Sequence, residues 1–272
     1  MPNNHSPIGI FDSGVGGLTV FREIMRQIPG ERIVYFGDTA RVPYGSKSPE
    51  TITRYAGQIV RFLKTHKVKA IVVACNTASA LAMDEIGKNE LPIIEVIKPG
   101  AKTAVETTIN GRIGVIATEA TTKSNIYAHY IKNLDQSLTI IGKACPLLVP
   151  LVEEGLLNDS VTDNVAGRYL NELVDADIDT LILGCTHYPL IRETIAKIMG
   201  ENVKLVNPAY ETARELKALL AANHLLNDQE MGTNGGQYHF YVSDGAEKFK
   251  RFADSIIKCG VLSIKTVNID DY

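Results

Sequence analysis

Two apolar runs in the 272-residue chain end alike. Ile71-Val72-Val73-Ala74 runs into Cys75-Asn76-Thr77, and Leu181-Ile182-Leu183-Gly184 into Cys185-Thr186-His187. Continuous apolar runs of this length, bounded by small polar residues, predict strands covered on both faces, as in a parallel sheet. Residues 8–11, 32–38, 93–96, 112–118, 139–142, 203–206 and 238–242 predict further strands. Between them the apolar period lengthens to that of a helix. Leu18, Phe21, Ile24 and Met25 share one face, and Ile52, Tyr55, Ile59, Phe62 and Leu63 line another over about residues 49–64. Further helices are predicted near residues 79–88, through Tyr127 and Tyr130, and near 161–174, 209–223 and 246–257, with a Gly-rich turn at 232–236. Strands alternating with helices imply parallel βαβ units.

Lys98-Pro99-Gly100 interrupts the pattern, which places a domain crossing near residue 97. Beyond it the rhythm restarts with a strand at Arg112, so the second half echoes the first. The predicted fold class is α/β, with two pseudo-symmetric lobes, each a mainly parallel sheet flanked by helices. The functional cleft lies between them, because such sheets place ligands beyond the carboxyl ends of their strands. Residues 1–97 and 208–272 form the expected first lobe, carrying Cys75, and residues 98–207 the second, carrying Cys185.

Composition narrows the function classes. With 45% hydrophobic residues, 22% charged residues and a formal net charge of -3, the chain is globular and has no global attraction for nucleic acid. Its N-terminus shows no basic region followed by an apolar stretch, and no apolar run reaches membrane-spanning length, so no membrane partner and a cytoplasmic location are expected. Four cysteines, Cys75, Cys145, Cys185 and Cys259, are too scattered for a disulfide framework. Cys75 and Cys185 lie 110 positions apart, which excludes a CxxC pair and short structural-zinc spacings. A disulfide between lobes stays open, while zinc on Cys75, Cys185 and His187 lacks an evident fourth ligand, so no metal is expected.

The candidate chemistry gathers at the predicted strand ends. A cysteine at a strand-to-helix junction can have its thiolate stabilised by backbone N–H groups, and can then act as base or nucleophile; the competing reading is a buried core thiol. Cys185 has an imidazole two positions on, at His187, which otherwise serves as a cap for the next helix. The turn Asp12-Ser13-Gly14-Val15-Gly16-Gly17 fits neither GxGxxG nor GxxxxGK[ST] and has no phosphate-binding lysine. Asp12 there is a partner for an ammonium or base, or simply a helix cap. Glu153 and Glu154 form a carboxylate pair at the start of a short helical stretch, by default a solvated face. Lys98 and Lys102 lack the setting of a Schiff-base lysine, and Cys145 and Cys259 read as structural.

Five blocks, DSGVGGLTV (12–20), GDTARVPYGSKS (37–48), ACNTAS (74–79), CPLLVPLVEEG (145–155) and GCTHYPL (184–190), together resemble the glutamate racemases of the cofactor-independent aspartate/glutamate racemase family. The resemblance spans essentially the whole chain. It implies cofactor-free interconversion of L- and D-glutamate, with the D-glutamate feeding peptidoglycan synthesis, and a homodimer. It implies that Cys75 deprotonates D-glutamate and Cys185 L-glutamate, with Asp12 and with His187 and Glu153 assisting their respective thiols. It also implies a pocket lined by Asp12, Ser13, Pro43, Tyr44, Gly45, Asn76, Thr77, Thr118, Thr121, Thr186 and His187. Two alternatives are aspartate racemisation and a non-catalytic, gyrase-inhibiting role; nothing in the chain encodes a surface for the latter.

The resemblance and the residues agree on the chemistry. Inversion without a cofactor needs a base on one face of the α-carbon and an acid on the other, and two identical groups suit a reversible reaction. A free thiol, with a pKa of about 8.5, is only slightly ionised at neutral pH, so donors near each cysteine are expected to lower its pKa.

Overall fold

The computed structural model describes residues 2–88, 90–227, 238–257 and 263–272. The predicted turn at 232–236 and Cys259 lie outside the described residues. Strands β1 (Ile8–Asp12), β2 (Ile33–Gly37), β3 (Ala70–Val73) and β4 (Ile93–Glu95) form a parallel sheet in the order β2-β1-β3-β4. Strands β5 (Arg112–Ala117), β6 (Thr139–Ala144), β7 (Thr180–Gly184) and β8 (Lys204–Val206) form a second, in the order β6-β5-β7-β8. The two orders are the same order. The chain then returns to the first sheet, adding β9 (Tyr238–Val242) beside β2 and β10 (Ile264–Thr266) beyond it. The fold is therefore the two-lobed α/β architecture expected from the pattern. Strand order reverses between β1 and β3 and again between β5 and β7, and the crevice at such a reversal is where open α/β sheets bind ligands.

Every residue of β1, β2, β3 and β7 is buried, which is why these segments read as unbroken apolar runs. Edge strand β6 is half exposed. Its Lys143 at the solvent side is the polarity expected at a rim.

Two segments carry the chain between lobes. The helix Ile97–Thr107 packs on β7 and β8 of the second lobe, and the helix Pro208–Ala222 packs against the helix Leu18–Gln27 of the first. The two crossing helices also touch each other. One core cluster accordingly runs from Ile10 and Val72 of the first sheet, through Ala101, Ala104, Ala209 and Ala213, to Val115 and Ile182 of the second. Small alanines bring these backbones close, so burial is continuous across the junction. At the opposite end of the first sheet from the cleft, Lys69 is fully buried against Glu31 at 2.5 Å and donates to the carbonyls of Asn4 and Leu225. That pairing fastens the returning chain to the first lobe.

Three local expectations are corrected. Lys98-Pro99-Gly100 does not break the pattern: it lies in the first turn of Ile97–Thr107, where a proline's missing N–H would have had no helical partner. The helix expected at 79–88 starts earlier and is two pieces, Asn76–Leu81 and Met83–Ile86, so Cys75 stands at its N-cap. Glu153 and Glu154 close the helix Leu148–Glu153 rather than open one. β10 has no counterpart in the sequence reading; its exposed Lys265 and Thr266 give no apolar signal. No helix of the described residues is long and apolar enough to cross a membrane.

Candidate active site

The site is built from four turns, two per lobe, each at the carboxyl end of a strand. β1 delivers Asp12 and Ser13, and β3 delivers Cys75 one residue beyond Ala74. In the second lobe β5 leads into Thr118 and β7 into Cys185, each the first residue after its strand. Cys75 caps its helix through its backbone, with the Ser79 N–H donating to the Cys75 carbonyl at 2.8 Å. Thr118 caps the helix Glu119–Lys123 through its side chain, which accepts from the Thr121 N–H at 3.3 Å.

Both thiols are buried, yet both line one cleft of about 590 Å³, open mouth included. Ser13, Asn76 and Thr77 line it from the first lobe, Thr118, Thr186 and His187 from the second. Pro43, Tyr44 and Gly45 form a further wall. Two expected pocket residues stand one layer back. Asp12 accepts from the Gly14 and Gly17 N–H groups at 3.1 and 3.0 Å through one carboxylate oxygen, and from the Thr186 hydroxyl at 3.3 Å through the other. It thus orders its own turn and reaches the opposite lobe at once. Thr121 meets Thr118 at 3.0 Å and Thr77 at 3.4 Å, while Thr77 meets Thr118 at 3.0 Å, which closes a triangle of hydroxyls between lobes.

Lining residues that the sequence did not single out are Val42, Ser46, Glu119, Pro146 and Val149. Pro146 and Val149 belong to the CPLLVPLVEEG block, but apolar lining residues resemble ordinary core residues until the chain is folded.

Glycine decides how closely the lobes meet. A Cβ on Gly16 would lie 2.5 Å from His187 Nδ1, and one on Gly45 would lie 2.6 Å from Thr118 Cβ. Any side chain at either position drives the lobes apart. The Thr19 hydroxyl adds a cross-lobe bond to the Thr186 carbonyl at 3.1 Å.

The electrostatics of the two thiols differ. Burial and the nearby Asp12 carboxylate push the Cys75 thiol up to about 12, against the Ala78 N–H and Ser13 hydroxyl, which favour the thiolate. The expectation that local donors lower its pKa is thus reversed for Cys75, because desolvation outweighs them. Asp12 itself is raised by burial, against the opposing pull of His187 and the two amides. Across the cleft, Cys185 Sγ lies 3.7 Å from His187 Nδ1, and His187 Nε2 lies 3.1 Å from Glu153 Oε1. Burial alone would lower His187, but its contacts with Cys185 and Glu153 push it up to about 10. Glu153 therefore has a specific partner and is no member of a solvated face, whereas exposed Glu154 meets Lys248 at 3.0 Å. Among the described residues no three His, Cys, Asp or Glu side chains are grouped as for a metal ion.

This geometry can place an acid and a base on opposite sides of a small ligand held by hydroxyl and amide donors. Known proteins share the fold and much of the sequence. The family model for Asp/Glu/hydantoin racemases matches residues 8–216. A curated relative, glutamate racemase of Geobacter metallireducens, is 48% identical over 251 residues, 92% of each chain. Among solved structures, a glutamate racemase of Bacillus anthracis superposes with a TM-score of 0.93 at 40% identity, covering 97% of this chain and 98% of that one. The glutamate racemase of Francisella tularensis, solved in complex with D-glutamate, gives 0.91 at 41% identity, covering 99% and 100%. An aspartate racemase of Picrophilus torridus shares the fold alone, with a TM-score of 0.57 at 17% identity over 82% of this chain and 100% of that one.

Proposed function

The chain belongs to the Asp/Glu/hydantoin racemase family, its activity is the racemisation of glutamate, and we propose that the reaction is a proton exchange at the α-carbon between Cys75 and Cys185. The observation that carries this reading is that two thiols, each at the end of the equivalent strand of its own lobe, face one cleft. With L-glutamate, the Cys185 thiolate takes the α-proton and the Cys75 thiol returns one to the other face. With D-glutamate the roles exchange, so each turnover leaves the thiols in the protonation state that suits the opposite enantiomer.

The two thiols have unlike charged neighbours. Cys75, pushed up to about 12, is a thiol at neutral pH. His187, protonated up to about pH 10, offers Nδ1–H to Cys185 Sγ at 3.7 Å. Glu153 steadies that imidazolium at Nε2. On the other side the Ser13 hydroxyl and Ala78 N–H support Cys75 when it turns anionic, and Asp12 sets how strongly its proton is held.

The carbanion formed from an amino acid is a poor one, so donors to the α-carboxylate and exclusion of water are needed. Asn76 and the hydroxyls of Ser13, Thr77, Thr118 and Thr186 supply donors on both walls. We take residues 1–97 with 208–272 and residues 98–207 as the two lobes whose closure excludes water. Glutamate is preferred over aspartate on the likeness to glutamate racemases across almost the whole chain. The same family reading supports action without a cofactor, a homodimer, a cytoplasmic setting and delivery of D-glutamate to peptidoglycan synthesis.

The test is incubation of purified protein with L-glutamate in D2O, without pyridoxal phosphate, following α-proton loss and circular dichroism together. Exchange with loss of optical activity supports the reading. Neither signal with glutamate or aspartate would leave the binding role in its place.

A further inference from the structure

Tyr127 does not line the cleft, yet its hydroxyl crosses from the second lobe and donates to Asn76 Oδ1 at 2.7 Å. Tyr127 lies in the helix Ile126–Leu134, and Asn76 follows Cys75 at the start of Asn76–Leu81. Both residues are 4% exposed. Asn76 faces the cleft beside the thiol.

A primary amide offers one acceptor oxygen and two N–H donors, and its two ends differ little in shape. The direction an Asn amide points is therefore set by its partners. A hydroxyl that donates to the oxygen holds the amide with its nitrogen turned the other way. No protein group among the described residues accepts from Asn76 Nδ2, which leaves its two donors for the cleft. Burial, with Glu95 and Cys185 nearby, pushes Tyr127 well above its ordinary value, so its hydroxyl keeps its proton and stays a donor.

We propose that Tyr127 is a positioning residue that fixes the Asn76 amide in the orientation presenting N–H donors to a carboxylate of the substrate. The proposal rests on the glutamate reading of the cleft. Because the two residues belong to different lobes, the amide is oriented only when the lobes meet. Donor placement thus follows closure.

The test compares the wild type with Tyr127→Phe, Asn76→Asp, Asn76→Ala and the Tyr127→Phe/Asn76→Ala double variant, with L- and D-glutamate. Tyr127→Phe keeps the ring and its packing and removes only the hydroxyl. It is expected to raise KM about tenfold for both enantiomers with kcat nearly unchanged, the effect of freeing one hydrogen-bonded group. Asn76→Asp keeps an acceptor for Tyr127 but has no amide donors, and is expected to raise KM at least as much. In the Asn76→Ala background, Tyr127→Phe is expected to do nothing further. Binding of the unreactive dicarboxylate glutarate, followed by calorimetry, is expected to weaken by the same factor as KM rises.

A wild-type KM in either Tyr127→Phe or Asn76→Asp overturns the proposal, as does an undiminished Tyr127 effect in the Asn76→Ala background. A wild type that binds glutarate but racemises nothing would sink the catalytic reading, and the change in glutarate affinity would then decide the proposal by itself. A wild type that does neither overturns both.

Discussion

At the end of β3, Cys75 has a carboxylate, Asp12, as its charged neighbour. At the end of β7, Cys185 has an imidazole, His187, that is itself held by a carboxylate. The backbones that deliver them are alike, with β1-β3 and β5-β7 each the middle pair of four strands in the same order. The chemistry is unlike because it depends on the first few residues after each strand. A repeated fold thus provides the symmetric part of the arrangement, two thiols facing one cleft. Side chains in the turns then give the two thiols unlike partners, a carboxylate that holds one towards its neutral form and an imidazole beside the other.

Replacing either thiol breaks the comparison at its base. Cys75→Ser and Cys185→Ser are each expected to reduce kcat by about a thousandfold or more in both directions, since a hydroxyl holds its proton far more tightly than a thiol. Circular dichroism with each enantiomer measures this; a variant retaining a tenth of the wild-type rate would end the two-thiol mechanism.

His187→Gln probes one half alone. The equilibrium constant between enantiomers is unity, so kcat/KM must fall equally from both sides, by about a hundredfold. The difference between halves appears in isotope effects. The primary effect with α-deuterated L-glutamate is expected to grow, as removal of the proton by Cys185 becomes slower, while that with D-glutamate shrinks, because removal by Cys75 then limits the rate less. Equal growth with both enantiomers would place His187 outside the Cys185 half.

Glu153→Gln is the gentlest of the three. It removes the carboxylate from Nε2, so His187 should lose its proton below the wild-type value of about 10. The folded imidazolium is favoured over the unfolded one, whose ordinary value is 6.5. Its stabilisation is therefore complete below pH 6.5 and is lost as pH rises towards 10. The variant is expected to lose less thermal stability over that window, and its L-to-D rate should decline at a lower pH, by about tenfold at pH 9. An unaltered pH profile would mean that Glu153 does not tune His187.

Much of this was legible in the chain. The strands of the two cores read clearly because burial on both faces leaves no polar alternation to confuse them. The turns holding Asp12, Cys75 and Cys185 announced themselves as polar breaks at the ends of those runs. Glu153 reads as solvated by its local pattern because its partner lies 34 positions away, and only the resemblance pointed it towards the site. The raised Cys75 was illegible for a related reason: desolvation belongs to the assembled cleft, whereas local donors can be read from neighbouring residues. Tyr127 gave no signal, since a tyrosine on the inner face of a helix reads as core.

The hydroxyl triangle of Thr77, Thr118 and Thr121 has a consequence for how the lobes are joined. Each hydroxyl can give and accept a proton and turns about a single bond. Thr118 donates to Thr121 within the second lobe, while on the two sides that reach Thr77 in the first lobe either hydroxyl can be the donor. A guanidinium or ammonium in the same place would donate only. With hydroxyls, the seam between the lobes can exchange donor for acceptor by turning protons alone, with no heavy atom required to move.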